Sequence, residues 1–441
     1  MKLLVNALDC KMTADRNHKL RTLWLSGALH AFTHIYHVAL LPLYLLIQKD
    51  FQLRSKDAAT LLVTMLMIAY FVPSYLMGVL ADKVSRKKLL AWGLVINAAG
   101  FVGLACAPGY RWAIASMLVA GFGGSFYHPA ATAMVARLFP VGTGKALGLV
   151  GIGAGVGFFV GPIYTGWRAH VLEVTLGAAA WRRPVFELGL LGLVAAGLFA
   201  WLADEEAPLA AAQRESRAPD RMFPSPALWV FFLGASFAFS LRDFTGNSMG
   251  TLGSLFLQQV HGFNPARTGL ALSGIFLAGA IGNPLFGHLS DRGRNRWTSL
   301  ALLFAALTVA VFPHLPRAGL NLAFMIYGFF FMSSYPIVEA ALMESVPDSV
   351  RGRVFGFFIT IGGLVGSLSH WIIGRVVDGL GHKGGSPEAY FTLYALLALL
   401  VVLSLGGLPC LHAIRKREKL ELPAEPLRPG PATGQPKSAL Q

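Results

Sequence analysis

The chain has 441 residues, of which 55% are hydrophobic and only 13% charged. Soluble domains carry about 25% charged residues, so this composition argues against one large soluble globule. A formal net charge of +15 would suit a nucleic-acid binder, but the basic residues are spread over short turns and not gathered on one face. Cys10, Cys106 and Cys410 are odd in number, far apart and without metal spacing, which argues against a disulfide framework or a zinc site.

The first segment, Met1 to Arg21, carries Lys2, Lys11, Arg16, Lys19 and Arg21 and lacks a long apolar run before a small-residue cleavage site. It reads as a cytoplasmic tail and not as a signal peptide. Apolar runs of about 20 residues then follow one another, the length a bilayer demands. They predict spanning helices over Thr22–Ile47, Ala58–Leu80, Leu89–Ala107, Trp112–Leu138, Lys145–Trp167 and Pro184–Ala203. A second set covers Ala227–Gln258, Arg267–Leu289, Thr298–Leu315, Leu320–Glu344, Val350–Val377 and Pro387–His412. Helix is forced there, because each unpaired backbone group in lipid costs several kcal/mol, roughly.

Between the sixth and seventh spans lies one polar stretch with Glu205, Glu206, Arg214, Glu215 and Asp220 and two prolines, Pro208 and Pro219. It reads as a flexible linker. The expected organisation is therefore a tail over 1–21, a six-helix bundle over 22–203, a linker over 204–226, a second bundle over 227–412, and a disordered tail over 413–441 rich in Pro, Lys and Glu. With twelve spans both termini share a side. Lys and Arg on that side outnumber those on the other by more than two to one, which places both termini in the cytoplasm.

The two bundles are related. Gly78 to Lys88 reads GVLADKVSRKK, and Gly287 to Arg296 reads GHLSDRGRNR, each between two apolar spans. A Gly stands four residues before an Asp in both, with Arg and Lys following. Tyr127-His-Pro129 followed by Pro140 matches Tyr335-Pro336 followed by Pro347, and Gly148 matches Gly356. Self-similarity at half a chain length means two copies of one unit. Two parallel six-helix halves resemble the major facilitator superfamily over essentially the whole membrane region. The resemblance implies an all-α membrane protein of twelve transmembrane helices in two pseudo-symmetric six-helix bundles, which rock about a midplane site to give alternating access.

The first charged turn resembles that family's loop motif G-x-x-x-D-R-x-G-R-K through Gly78, Asp82, Arg86 and Lys87, with Lys83 in place of the usual Arg and Ser85 in place of the second Gly. The second copy keeps Gly287, Asp291 and Arg292. A Gly lets helices approach closely, and an Asp can pair with an Arg of the opposite half, so these residues are expected to gate the cytoplasmic end. Arg137 and Glu344, equivalent in the two halves, are expected to join them. The fifth span carries Gly148, Gly157, Gly161-Pro162 and Gly166, which resembles the family's antiporter-associated glycine signature, with Thr165 replacing a Gly. Small residues four apart let backbones pack, and Pro162 is expected to kink the span. The Arg that many proton antiporters of the family carry early in the fourth span is Met117 here. Tyr127-His128-Pro129 and Leu241-Arg242 resemble the fosmidomycin-resistance branch, with Ala130 where that branch often has an acidic residue.

Ionisable residues inside spans are the strongest functional signal, because a charge at mid-bilayer costs at least about 2.5–3.5 kcal/mol. His30, His34 and His37 fall within about 60° of one another on a helix and form one stripe. His128, Arg242, Asp243 and Glu339 lie in the fourth, seventh and tenth spans. The resemblance implies that the first, fourth, seventh and tenth spans line the cavity, so these seven residues are the expected path for substrate and protons. Arg242 and Asp243 point about 100° apart and need not pair, Glu339 is the alternative partner for Arg242, and His370 reads as a packing residue. His residues at i and i+4 also suit a transition metal, but with no Cys or acid beside the stripe no metal site is expected, and no cofactor.

The function expected is a secondary transporter in the plasma membrane, the inner membrane of a bacterium, that exports a small organic solute by proton antiport, acts as a monomer and has no nucleic-acid partner. An anionic or zwitterionic solute is expected from Arg242. Proton-coupled or facilitated uptake of an organic anion, or a sensor without turnover, uses the same features. An enzyme would need a nucleophile–base pair or a fuller metal set, and neither is visible.

Overall fold

The computed structural model describes residues 2–81, 83–205, 222–347 and 350–421, with side chains between 17 and 417. Asp82, the linker from 206 to 221 and the tail from 422 lie outside the described residues. The N-terminal half is built from α1 (Lys2–Val38), α2 (Tyr44–Asp50), α3 (Lys56–Ala81), α4 (Arg86–Ala105), α5 (Tyr110–Gly124), α6 (Tyr127–Leu138), α7 (Thr143–Leu176) and α8 (Arg182–Leu202). The C-terminal half is built from α9 (Pro226–Gln259), α10 (Pro265–Ser290), α11 (Arg294–Val311), α12 (Leu320–Met343), α13 (Arg351–Gly379), α14 (Phe391–Ser404) and α15 (Gly407–Glu421).

Ten described segments are long and apolar enough to cross a membrane. One of them, Thr143–Leu202, contains two helices joined by a turn at Gly177–Trp181. The stack of α5 and α6 makes one further span, which gives the twelve spans expected. Their ends fall within a few residues of expectation at most boundaries; α7 runs on past Trp167 to Leu176, and α15 past His412 to Glu421. The outer surface is apolar: Trp201, Val194, Phe237, Leu307 and Leu396 are all more than half exposed. A soluble monomer rarely shows so large a patch, whereas lipid requires one.

Three spans are broken, the first, the fourth and, between Ser404 and Gly407, the twelfth; the first two breaks bear on the site. Pro129 lacks an N–H, and its ring would collide with the carbonyl of Ser125 in a continuous helix. The fourth span accordingly ends one helix at Gly124 and starts another at Tyr127, which sets His128 in the first turn of α6. Pro42 likewise stands in a 3-10 turn over Leu41–Leu43 between α1 and α2. Two carbonyls there also accept from the other half: Ser254 donates to Leu41 O, and Gln258 donates to Pro42 O at 3.4 Å. In the third span, Ser85 caps α4 by accepting from Lys88 N at 3.3 Å.

The halves meet at the end remote from the two charged turns. There α3 packs on α13, and α7 on α10. Thr64 donates to Ser367 O at 3.0 Å and accepts from Trp371 N at 3.0 Å. Ser273 donates to Phe159 O at 2.7 Å. A Cβ on Gly269 would stand 2.0 Å from Pro162 O, and one on Gly374 would stand 2.1 Å from Thr60 Oγ1. Toward the charged turns the halves part. Cβ atoms built on Gly144, Gly148, Gly287, Gly352 and Gly356 would meet nothing within 4 Å, and Val72, Tyr75 and Leu76 are more than half exposed. The structure is closed at one end and open at the other.

Candidate functional site

Span 5 explains why the His stripe has its place. Gly153, Gly157 and Gly161 recur every fourth residue on α7 and lie against Gly27, Ala31 and Ile35 of α1. A Cβ at Gly153 or Gly157 would stand 2.0 Å or 2.2 Å from a carbonyl oxygen of α1, so the backbones touch. Thr165, the departure from the glycine signature, donates to Ala39 O at 2.8 Å. Gly148 plays no part in this packing, because that stretch of α7 lies in the open end. Gly78 makes only ordinary contact with Pro129, at 3.7 Å. The backbone approach seen between α1 and α7 also delivers Val150 O to His30, whose Nδ1–H donates to it at 2.9 Å.

The four candidate histidines form one cluster. His30, His34 and His37 are buried, while His128 is exposed toward the open end. His34 Nε2 lies 3.1 Å from His30 Nε2. Because His30 Nδ1 carries its proton toward a carbonyl, the neutral ring accepts at Nε2 and His34 donates. That leaves His34 Nδ1 buried with no hydrogen-bond partner, as is His37 Nε2. His30 stacks on Tyr127 at 4.7 Å, His37 meets the edge of Tyr70 at 4.6 Å, and His34 lies 4.2 Å from Phe158. Phe158 in turn stacks on Phe276 of the other half at 4.7 Å. This aromatic pair bridges the halves beside the cluster. Sequence reasoning missed it, since a Phe in an apolar span carries no mark that separates a cavity floor from a lipid face.

The C-terminal half contributes the charged groups. Arg242 is 1% exposed and does pair with its neighbour: Nη2 lies 2.9 Å from Asp243 Oδ1, and Nε 3.0 Å. The adjacent residues point apart along the helix, but the long Arg side chain folds back across the turn. Its guanidinium lies 3.9 Å over the Tyr335 ring, a cation–π contact. Nη1 is buried and has no hydrogen-bond partner. Asp243 fits only because Gly362 has no side chain; a Cβ there would stand 2.3 Å from Asp243 Oδ2. Glu339 is partly exposed and forms no ion pair or hydrogen bond with any described residue. The site therefore sets four imidazoles in one half, and an arginine with two carboxylates in the other.

His370 is buried among the packed helices and hydrogen-bonded. Thr251 shares a 2.6 Å hydrogen bond with its Nδ1 and a 3.2 Å hydrogen bond with the Tyr44 hydroxyl of the other half.

Among the described residues expected to gate the charged end, the hydrogen bonds and ion pairs seen for Arg86, Asp291 and Glu344 each lie within one half. Arg86 Nε donates to Ala81 O within its own turn at 3.1 Å. Gly287 is open and Arg292 exposed. Asp291 pairs with Arg294 at 3.3 Å, and Arg294 also grips Glu344. The hydrogen bond from Arg294 holds the Glu344 carboxyl below its usual range. Two ion pairs join the halves at the opposite end instead: Lys56 with Asp378 at 3.7 Å, and Asp57 with Arg375 at 3.6 Å. Their sequence signal is an acid–base couple at the start of one span and another at the end of a span in the other half. Partly exposed pairs such as these, in which Asp57 is the buried member, are worth about 1 kcal/mol or less each. Asp57→Asn with Asp378→Asn is therefore expected to raise the population open at this end by up to about fivefold per pair, read as a longer spin-label distance across residues 54 and 380. An unchanged distance distribution would remove these pairs from the gate.

The family model of the Major Facilitator Superfamily matches residues 23–370. A multidrug-resistance efflux pump of Streptococcus pneumoniae, PmrA, is 26% identical over 68% of this chain and 75% of its own length. The membrane sensor protein UhpC of Escherichia coli is 25% identical over 93% of this chain and 95% of its own. Among solved structures, a bacterial homologue of the human lysosomal transporter Spinster, inward-facing and unoccupied, superposes with a TM-score of 0.69 at 17% identity, over 90% of this chain and 96% of that one. With its twelve spans and paired halves, this multi-pass membrane protein belongs to the Major Facilitator Superfamily.

Proposed function

We propose that the protein is a proton-coupled exporter of a small organic solute, working by alternating access with both termini in the cytoplasm. One observation carries the reading: a site of buried ionisable groups drawn from both halves, sealed at one end and open at the end bearing the basic turns. By the distribution of Lys and Arg that open end faces the cytoplasm, where an exporter loads. The efflux pump among the relatives supports export. Arg242, with an unpartnered Nη1, suits a carboxylate or phosphate on the solute. Glu339 stands without a partner cation, so it is the residue proposed to take up and release the proton. His34 and His37, each with an unpartnered ring nitrogen, are proposed to relay it. Asp82, Arg86, Asp291 and Arg292 are proposed to latch the cytoplasmic end when the halves close there.

The test is internal pH in proteoliposomes under an imposed gradient while organic acids and cationic drugs are added. Cargo-triggered proton movement in the wild type, abolished in Glu339→Gln, is the expected result; its sign relative to the cargo gradient separates antiport from symport. Cargo flux with no proton movement would make the protein a facilitator. A sensor is the second reading, favoured by the membrane sensor relative that covers nearly the whole chain. In that case cargo binds the purified protein and no flux follows.

A further inference from the structure

One ring nitrogen from each of His30, His34 and His128 lies within 4.8 Å of the others. We propose that these three imidazoles bind a divalent transition-metal ion entering from the open end, with a fourth position left for water or for an anionic group of a solute. The stripe on α1 alone supplies only two of these ligands. The break at Ser125–Phe126 supplies the third, because it starts α6 where His128 reaches the same point.

The geometry of the first two rings fits an ion. At bond lengths of about 2.0–2.1 Å, two nitrogens on a tetrahedral ion stand about 3.3 Å apart, and the two Nε2 atoms stand 3.1 Å apart. His30 is held as metal-binding histidines are, with Nδ1–H on a backbone carbonyl and the Nε2 lone pair presented. His34 Nε2 now donates to that lone pair. Moving its proton to Nδ1, which is buried and without a partner, exchanges an unpaired lone pair for an unpaired N–H and frees both Nε2 atoms. The tetrahedral spacing of about 3.3 Å applies to the third ligand as well, so His128 swings inward by up to roughly 1.5 Å to complete the set. It is exposed, and its ring already lies against those of His30 and His34. Three neutral imidazoles with no carboxylate favour zinc, nickel or cobalt over magnesium or calcium.

Binding does not depend on the transport reading, and its test needs no flux. The untagged full chain in nanodiscs, stripped with a chelator, is titrated with Co2+. The expected result is one Co2+ per chain with a visible d–d band, displaced by Zn2+ and not by excess Mg2+. His128→Ala is expected to weaken binding at least as much as the roughly 10–100-fold that loss of a supporting partner costs. Because His128 is exposed, this variant keeps the fold, which a thermal melt checks; His412→Ala binds as the wild type does. Absence of the band, equal competition by Mg2+, or unchanged affinity in His128→Ala would each overturn the site.

Discussion

Arg242→Ala is expected to cost about 3–5 kcal/mol of stability, the usual penalty for breaking a buried pair from one side. The guanidinium is 1% exposed, bonded twice to Asp243 and stacked on Tyr335. Its loss leaves a carboxylate wedged against Gly362 with no cation. Thermal unfolding in detergent reads the effect. The double variant Arg242→Ala with Asp243→Asn is expected to regain most of the stability, since no unpaired charge is left, while solute binding stays lost. Arg242→Lys is not a rescue, because an ammonium reproduces neither the two bonds to one oxygen nor the planar stack. A single variant as stable as the wild type would mean that the pair contributes nothing to the fold, and the Asp243 carboxylate would have to find water or another cation.

Gly157→Val is the second large effect. A Cβ alone would stand 2.2 Å from Ala31 O, and a backbone carbonyl of a packed helix has no free direction to yield. Overpacking a filled contact costs about 1–3 kcal/mol and occasionally more; here the intruding atoms meet main chain, so the upper end or outright failure to assemble is expected. The measurement is the yield of monodisperse protein after solubilisation. Gly148→Ala, on the same helix and carrying the same glycine in the motif, is expected to be neutral because its Cβ meets nothing within 4 Å. If both variants behave alike, the motif acts through helix flexibility and not through contact.

The contrast between Gly148 and Gly157 marks how far the sequence could be read. Twelve spans, the two-fold repeat and the His stripe follow from apolar length, internal similarity and the 100° helical period. These are local or self-referring signals. Which glycine in a motif touches a neighbour depends on the conformation in which the halves stand, and one sequence encodes more than one conformation. The same reason hid the closed end. The basic turns drew attention to one gate, while Lys56, Asp57, Arg375 and Asp378 hold the other. The pairing of Arg242 with Asp243 was missed because helical angles describe where Cβ atoms point, and an arginine extends far beyond its Cβ. His128 could be placed in the cavity through the family resemblance, but its meeting with His30 and His34 depends on a helix break whose cause, Pro129, was in plain view.

The break at Leu41–Leu43 has a consequence for which way the protein can move. Two of its carbonyls also accept from Ser254 and Gln258, which belong to the other half. When that end opens, both donors leave together, and the bonds that crossed the seam need replacements. In hydrocarbon no such donor is available and the bonds are lost; in water the exchange is close to neutral. The first span therefore works as a hydration lock: the closed end opens more readily when water enters the seam than when a lipid tail slides between the halves.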